Sequence, residues 1–156
     1  MPRTLSGKVA VITGGSRGLG TAIARLLADE GADVAVTYVN SEARSQEFVN
    51  ELQTRGARAL ALKADQGNAA EAKALIDTVM DRFGRLDILV ANADLLLPGA
   101  LDGPFDFNGS IDQQYAVNLT GVIAGIRAAS HVMGEGGRIV AIGSALCEPR
   151  RVSRRR

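Results

Sequence analysis

The sequence predicts an α/β fold in which one doubly wound parallel sheet carries helices on both faces. Two observations predict it. The apolar period switches repeatedly between short β-rich runs and helical spacing, and glycines stand where it switches. Strands alternating with helices need crossover connections, and right-handed βαβ units supply these while covering a parallel sheet from both sides.

Taken in order, Lys8 to Thr13 (KVAVIT) is a short β-rich run that ends at glycines. Leu19 to Glu30 places Ile23, Leu26 and Leu27 on one helical face and stops at Gly31. Asp33 to Val39 (DVAVTYV) is a second buried strand. Ser41 can cap a helix running to about Thr54, with Phe48, Val49 and Leu52 inward and Gly56 at its end. Arg58 to Lys63 is a third, weaker strand. Ala69 to Phe83 spaces Ala72, Leu75, Ile76 and Val79 at i, i+3, i+4 and i+7, and Gly84 closes that helix. Leu86 to Ala91 (LDILVA) is a fourth strand, followed by a Pro- and Gly-bearing loop from Asp94 to about Gly109. A long helix is predicted over Ile111 to Met133, and Gly137 to Gly143 (GRIVAIG) is a fifth strand. No internal repeat or interdomain linker interrupts the series, so one domain is expected.

Composition agrees and narrows the function. With 156 residues, 46% apolar and 22% charged, the chain can bury a core of its own. Its apolar runs are short, Ile88 to Ala91 being typical, so no segment is expected to span a bilayer. Met1 to Ser6 lead straight into a strand with no charged-then-apolar leader, and a cytoplasmic protein is expected. The single cysteine, Cys147, and the single histidine, His131, argue against disulfides and metal catalysis. The net charge of +1 hides an asymmetry, because Arg150, Arg151, Arg154, Arg155 and Arg156 crowd the end. Residues 1–147 hold 13 basic and 16 acidic side chains, a balance of −3. No aromatic residue interleaves with the terminal arginines, so a nucleic-acid partner is not expected.

The strongest local signal is Thr13-Gly14-Gly15-Ser16-Arg17-Gly18-Leu19-Gly20, which leaves a strand and opens a helix. This is the context a glycine-rich dinucleotide loop needs. Gly14 allows a tight turn, Gly18 lets the backbone approach a pyrophosphate, and Gly20 lets helix and strand pack closely. Free amides and the positive end of the helix dipole would then face the phosphates. No Lys-Ser/Thr follows the glycines, which argues against a nucleoside triphosphatase loop. The end of the second strand reads Tyr38-Val39-Asn40-Ser41, with no carboxylate before Glu42 to accept from a ribose 2′-hydroxyl. Asn40, Ser41 and Arg17 would instead meet a 2′-phosphate, which favours NADP(H) over NAD(H).

The spacing T-G-x-x-x-G-x-G resembles the short-chain dehydrogenase/reductase family, and further positions agree in order. Ala64-Asp65 is similar to the family's aspartate at the adenine ring, with Gln66 beside it, and Ala91-Asn92-Ala93-Asp94 resembles its N-N-A-G. Asn118 in Val117-Asn118-Leu119 matches the active-site asparagine, and Ser144 in Ile142-Gly143-Ser144 matches the catalytic serine. The similarity runs from about Gly7 to Ala145 and looks closest to 3-oxoacyl-carrier-protein-reductase-like members. It implies a Rossmann-like NAD(P)-binding domain and hydride transfer between nicotinamide and a carbonyl or alcohol. It also implies cofactor contacts at Thr13, Gly14, Ser16, Arg17, Gly18, Leu19, Gly20, Asn40, Ser41, Asp65, Gln66, Asn92 and Ala93. No family role falls on Tyr115 or His131, which read as helix-face residues.

Departures from the pattern carry weight. Ala91 and Asp94 replace the first asparagine and the glycine of N-N-A-G, and Asp94 adds bulk and negative charge. The family's Tyr-x-x-x-Lys pair is absent: the tyrosines are Tyr38 and Tyr115, and the residues four further on are Glu42 and Leu119. The reading is therefore a truncated Rossmann domain over 1–147, lacking the C-terminal part of the usual fold, with a disordered basic tail over 148–156. Ser144 and Asn118 would be half of a catalytic set. Val117, Val122, Ile123 and Ile126 are expected to be partly exposed, so self-association or pairing with an intact homologue is expected.

Overall fold

The computed structural model describes residues 3–97 and 110–143. Its five strands are β1 (Val9–Ile12), β2 (Asp33–Tyr38), β3 (Ala59–Lys63), β4 (Ile88–Ala91) and β5 (Arg138–Ala141). They form one sheet in the order β3-β2-β1-β4-β5, every pairing parallel, with Val9 opposite Asp33 and Ala10 opposite Ile88. The helices are α1 (Gly18–Asp29), α2 (Glu42–Thr54), α3 (Ala69–Phe83), α4 (Ser110–Tyr115) and α5 (Gly121–Ser130). A π-helical turn, Ala116–Thr120, joins the last two.

Strand alternation divides the core in two. Ala10, Ile12, Val34, Val36 and Val90 face α1 and α2, where Ala24, Ala28, Phe48, Val49 and Leu52 meet them. Val9, Val11, Ala35 and Leu89 face the other way, against Leu75, Ile76 and Val79 of α3 and Ala129 of α5. The doubly wound parallel sheet read from the sequence is therefore the observed architecture, with helices on both faces of β1, β2 and β4.

The amino end of the sheet is pinned by Asp87. Its carboxylate accepts from the Val9 amide at 3.0 Å, from Lys8 Nζ at 3.2 Å and from Arg85 through two bonds of 2.7 Å. Burial alone would raise its pKa, but the Arg85, Val9 and Lys8 donors outweigh that and hold it at about 2.

Three expectations shift on contact with the structure. Ser41 occupies the N-cap of α2, but its hydroxyl makes no capping bond; its carbonyl accepts from Ser45 Oγ at 2.7 Å and from the Ser45 amide at 3.0 Å. The helix read as Ile111 to Met133 begins at Ser110, slips into the π turn and ends at Ser130. The fifth strand forms, yet all four of its residues are exposed, because it pairs with β4 alone among the described residues. Val117, Val122 and Ile126 are half-buried and Ile123 is 48% exposed, as anticipated. Part of the loop after Asp94 (98–109) and the basic tail (148–156) lie outside the described residues.

Candidate functional site

In a doubly wound sheet the ligand crevice opens at the carboxyl ends of the strands where the winding reverses, here between β1 and β4. A network around Thr13 laces those ends together. Thr13, only 8% exposed, donates its amide to the Val90 carbonyl at 3.0 Å. Its Oγ1 accepts from the Asn92 and Ala93 amides, each at 3.0 Å. Asn92 Nδ2 donates back to the Thr13 carbonyl at 2.9 Å and the Gly14 carbonyl at 3.3 Å. The Gly14 amide donates to Thr37 Oγ1 at 3.0 Å, which brings β2 into the same lattice.

The glycines of the loop separate by role. A Cβ on Gly14, at φ +65°, would lie 2.8 Å from Ala93 Cα; one on Gly20 would lie 2.5 Å from the Gly14 carbonyl and 2.7 Å from Asn92 Nδ2. Both are packing glycines, which brings α1 close enough for its first turn to overlie the crevice. Gly15 is a third, which sequence reasoning missed, for its Cβ would strike Val36 at 2.6 Å. Gly18 differs. At φ +55° it has nothing within 4 Å of a Cβ, so its backbone borders open space, where a ligand can approach.

The start of α1 has the electrostatics of an anion site. Arg17, at its N-cap, is extended and makes no side-chain capping bond, and no acid stands in the first turn. By contrast α3 is capped by Asn68, whose Oδ1 accepts from the Ala70 amide at 3.1 Å, and it carries Glu71 in its first turn. The leading amides of α1 therefore keep their donors and the dipole's positive end uncompensated. Ser16 is half-buried beside them and Leu19 is 56% exposed at the mouth. At the end of β2, Asn40 is exposed and Ser41 half-buried, and partial burial beside Glu42 pushes the Tyr38 phenol up.

The opposite wall is built by Asp65, Gln66 and the π turn. Asp65 Oδ1 accepts from the Gly67 amide at 2.8 Å, while its own amide donates to Glu71 Oε2 at 2.7 Å. Its other carboxylate oxygen makes no hydrogen bond among the described residues. Gln66 Nε2 donates to the Ala93 and Val117 carbonyls, both at 2.8 Å, so this residue braces the segment leaving β4 against the π turn. The brace leaves no room beside it, for a methyl on Gly121 would overlap the Gln66 carbonyl.

Asn118 spends its side chain on the main chain of Leu95. Nδ2 donates to the Leu95 carbonyl and Oδ1 accepts from the Leu95 amide, both at 2.8 Å. Gln114, four residues earlier, repeats this at Leu97 with bonds of 3.1 and 3.2 Å. The helix thus holds the chain leaving β4 at alternate residues, as a neighbouring strand would. Sequence reasoning found Asn118 and missed Gln114, although their i,i+4 spacing was the available signal. Asp94 is exposed at the rim of this segment. Tyr115 is 60% exposed and His131 Nδ1 lies 2.6 Å from the Arg127 carbonyl, both on the helix surface as read. Ser144 lies outside the described residues.

Comparison with known proteins places this geometry. The family model for short chain dehydrogenase matches residues 8–153. A short chain dehydrogenase from Burkholderia cenocepacia, crystallised in complex with NADP, superposes with a TM-score of 0.85 at 46% identity, over 91% of this chain and 57% of that one. An uncharacterized oxidoreductase of Methylorubrum extorquens is 38% identical over 92% of this chain and 57% of its own length. An L-rhamnose 1-dehydrogenase (NAD(P)(+)) of Sphingomonas is 36% identical over 91% of this chain and 56% of its own. The chain thus spans little more than half the length of the curated relatives it matches. By its sequence along nearly all of its length and by its fold, the chain belongs to the short chain dehydrogenase family.

Proposed function

We propose that this chain is the coenzyme-binding part of an NADP(H)-dependent oxidoreductase that moves hydride between nicotinamide and a carbonyl or alcohol carbon, of the 3-oxoacyl-carrier-protein-reductase-like kind. The observation that carries the reading is the uncapped start of α1 over the crevice between β1 and β4, with Gly18 bordering open space. These features suit a diphosphate: amides to grip it, a dipole to favour it, and no side chain in the way. Ser16 and Leu19 lie along the pyrophosphate, with Thr13, Gly14 and Gly20 shaping the turn beneath it. Asp65 and Asn92 flank the adenosine, backed by Gln66 and Ala93. Arg17, Asn40 and Ser41 take the 2′-phosphate. The Burkholderia relative's NADP supports that preference, whereas the name of the Sphingomonas relative admits both coenzymes.

When bound, the nicotinamide supplies the hydride. Ser144 would hold the substrate oxygen, and Asn118 would fix the adjoining wall through Leu95. Proton delivery needs an acid within hydrogen-bond reach of that oxygen, and the sequence holds no Tyr-x-x-x-Lys pair to provide it. The expected behaviour of this chain alone is NADPH binding without turnover. Titration of purified protein with NADPH, followed by coenzyme fluorescence and then by ketone reduction, tests this. Turnover abolished by Ser144→Ala would overturn the inactivity, and absence of binding would overturn the whole reading.

A second reading is favoured by the exposure, among the described residues, of Leu119, Ile123 and the residues of β5. There the chain acts as a non-catalytic nucleotide-binding or regulatory fragment in the cytoplasm, self-associated or paired with an intact homologue. Sedimentation with and without such a homologue separates the two readings: a monomer in both mixtures excludes the second.

A further inference from the structure

We infer that Gln66 is a positioning residue for Asn118: its side-chain amide holds the π turn that aims Asn118 at Leu95, and so fixes one wall of the crevice. The role of that wall rests on the dinucleotide-binding reading above. Gln66 follows β3 and reaches the turn from 51 residues away in sequence, at Val117.

In an α-helix the Gly121 amide would donate to the Val117 carbonyl, four residues back. It donates instead to Ala116, five residues back, which makes the π turn. The Val117 carbonyl is thereby released from Gly121, and Gln66 Nε2 donates to it at 2.8 Å. The second hydrogen on the same nitrogen serves the Ala93 carbonyl, also at 2.8 Å, so two acceptors fix the orientation of the amide. The main-chain carbonyl of Gln66 meanwhile lies against Gly121, where a methyl would overlap it. One residue therefore takes the displaced carbonyl and packs on the residue whose amide left it.

The π turn decides which way the helix presents its amides. Each residue advances an α-helix by about 100°, so one inserted residue swings the preceding stretch by about that much relative to α5. α5 itself is anchored separately, by Ala129 in the core against α3. In the swung position Asn118 bonds both main-chain groups of Leu95 at 2.8 Å, and Gln114 bonds those of Leu97. A helix without the inserted residue would carry both side chains off the segment leaving β4. Gln66 thus acts on Asn118 through Val117, its neighbour in the chain.

Hydrogen exchange at the Leu95 amide reports the aim of Asn118, because that amide donates to Asn118 Oδ1. Three substitutions separate hydrogen-bond donation from packing. Gln66→Met keeps the length and removes both donors, and should speed exchange at Leu95 about 10-fold. Gln66→Glu sets carboxylate oxygens against two carbonyls and should speed it at least as much. Gln66→Lys restores an N–H donor and should hold exchange within about threefold of wild type. A side chain that only fills space would instead leave Met nearest wild type. That order, or exchange unchanged in the Met and Glu variants, would overturn the inference. Val11 and Val36 lie in the sheet core, and their amides should stay protected in every variant. Should a variant lose that protection, the wild type decides alone. Scalar couplings across the hydrogen bonds from Gln66 Nε2 to the Ala93 and Val117 carbonyls are expected, and their absence would overturn the inference. NADPH titration of the wild type keeps the two claims apart. Protein that binds no NADPH would refute the dinucleotide reading and the purpose of this positioning, whereas a failed exchange test in protein that binds it would refute Gln66 alone.

Discussion

Replacing Thr13 by valine keeps the shape of the side chain and removes only the acceptor at the centre of the crevice. The Asn92 and Ala93 amides, each 3.0 Å from Oγ1, would lose their partner. A buried donor left unpaired costs about 1–3 kcal/mol, and both residues are half-buried, so the lower end applies to each. The expected loss is about 2 kcal/mol, or roughly 1 M in the urea midpoint for a domain of this size, with no change in the slope. Thr13→Ser keeps the hydroxyl and sheds one methyl, which should cost about 1 kcal/mol. Urea unfolding followed by circular dichroism ranks the variants, and amide exchange at Asn92 and Ala93 locates the damage. If valine costs no more than serine, the hydroxyl does not tie β1 to β4, and the lattice described here is wrong.

Other consequences follow from single contacts. Gly125 sits inside α5 with nothing within 4 Å of a Cβ, so Gly125→Ala should raise stability by about 0.5–1 kcal/mol; an unchanged or lowered melting temperature would count against the helix there. Gly121→Ala, one turn earlier, drives a methyl into the Gln66 carbonyl and should cost about 2 kcal/mol or more, read in the same melt. Asp87 is lowered from 3.8 to about 2 on folding, so its contribution is full above pH 4 to 5 and vanishes as the pH falls through about 2. Asp87→Asn should therefore lose about 2 kcal/mol at pH 6, with the gap to wild type closing by pH 2 to 3; a gap independent of pH would exclude the carboxylate as its source.

Much of the fold was legible because its core is periodic. Val9 to Ile12 and Val34 to Val36 are apolar on both faces, as a strand covered from both sides must be, and α3 repeats its apolar residues at helical spacing. The glycine loop was legible because Gly14 and Gly18 require positive φ and Gly20 a close approach. What stayed hidden depends on residues distant in sequence. The π turn at Ala116–Thr120 leaves no local mark; what accompanies it is the Gln66 amide on the Val117 carbonyl and the Leu95 main chain on Asn118. Gly15 and Gly121 looked like ordinary glycines until Val36 and Gln66 packed onto them. Ile139 and Val140 read as part of a fifth strand and pair as one, yet both are exposed, because periodicity reports which residues suit a strand and not whether a layer covers them.

Amide chemical shifts of the isotope-labelled chain, titrated with NADPH, test the grip on the diphosphate. Saturable shifts concentrated at Ser16 to Gly20, with smaller ones at Asp65 and Asn92, are expected. Binding that leaves the amides at the start of α1 unmoved would contradict it.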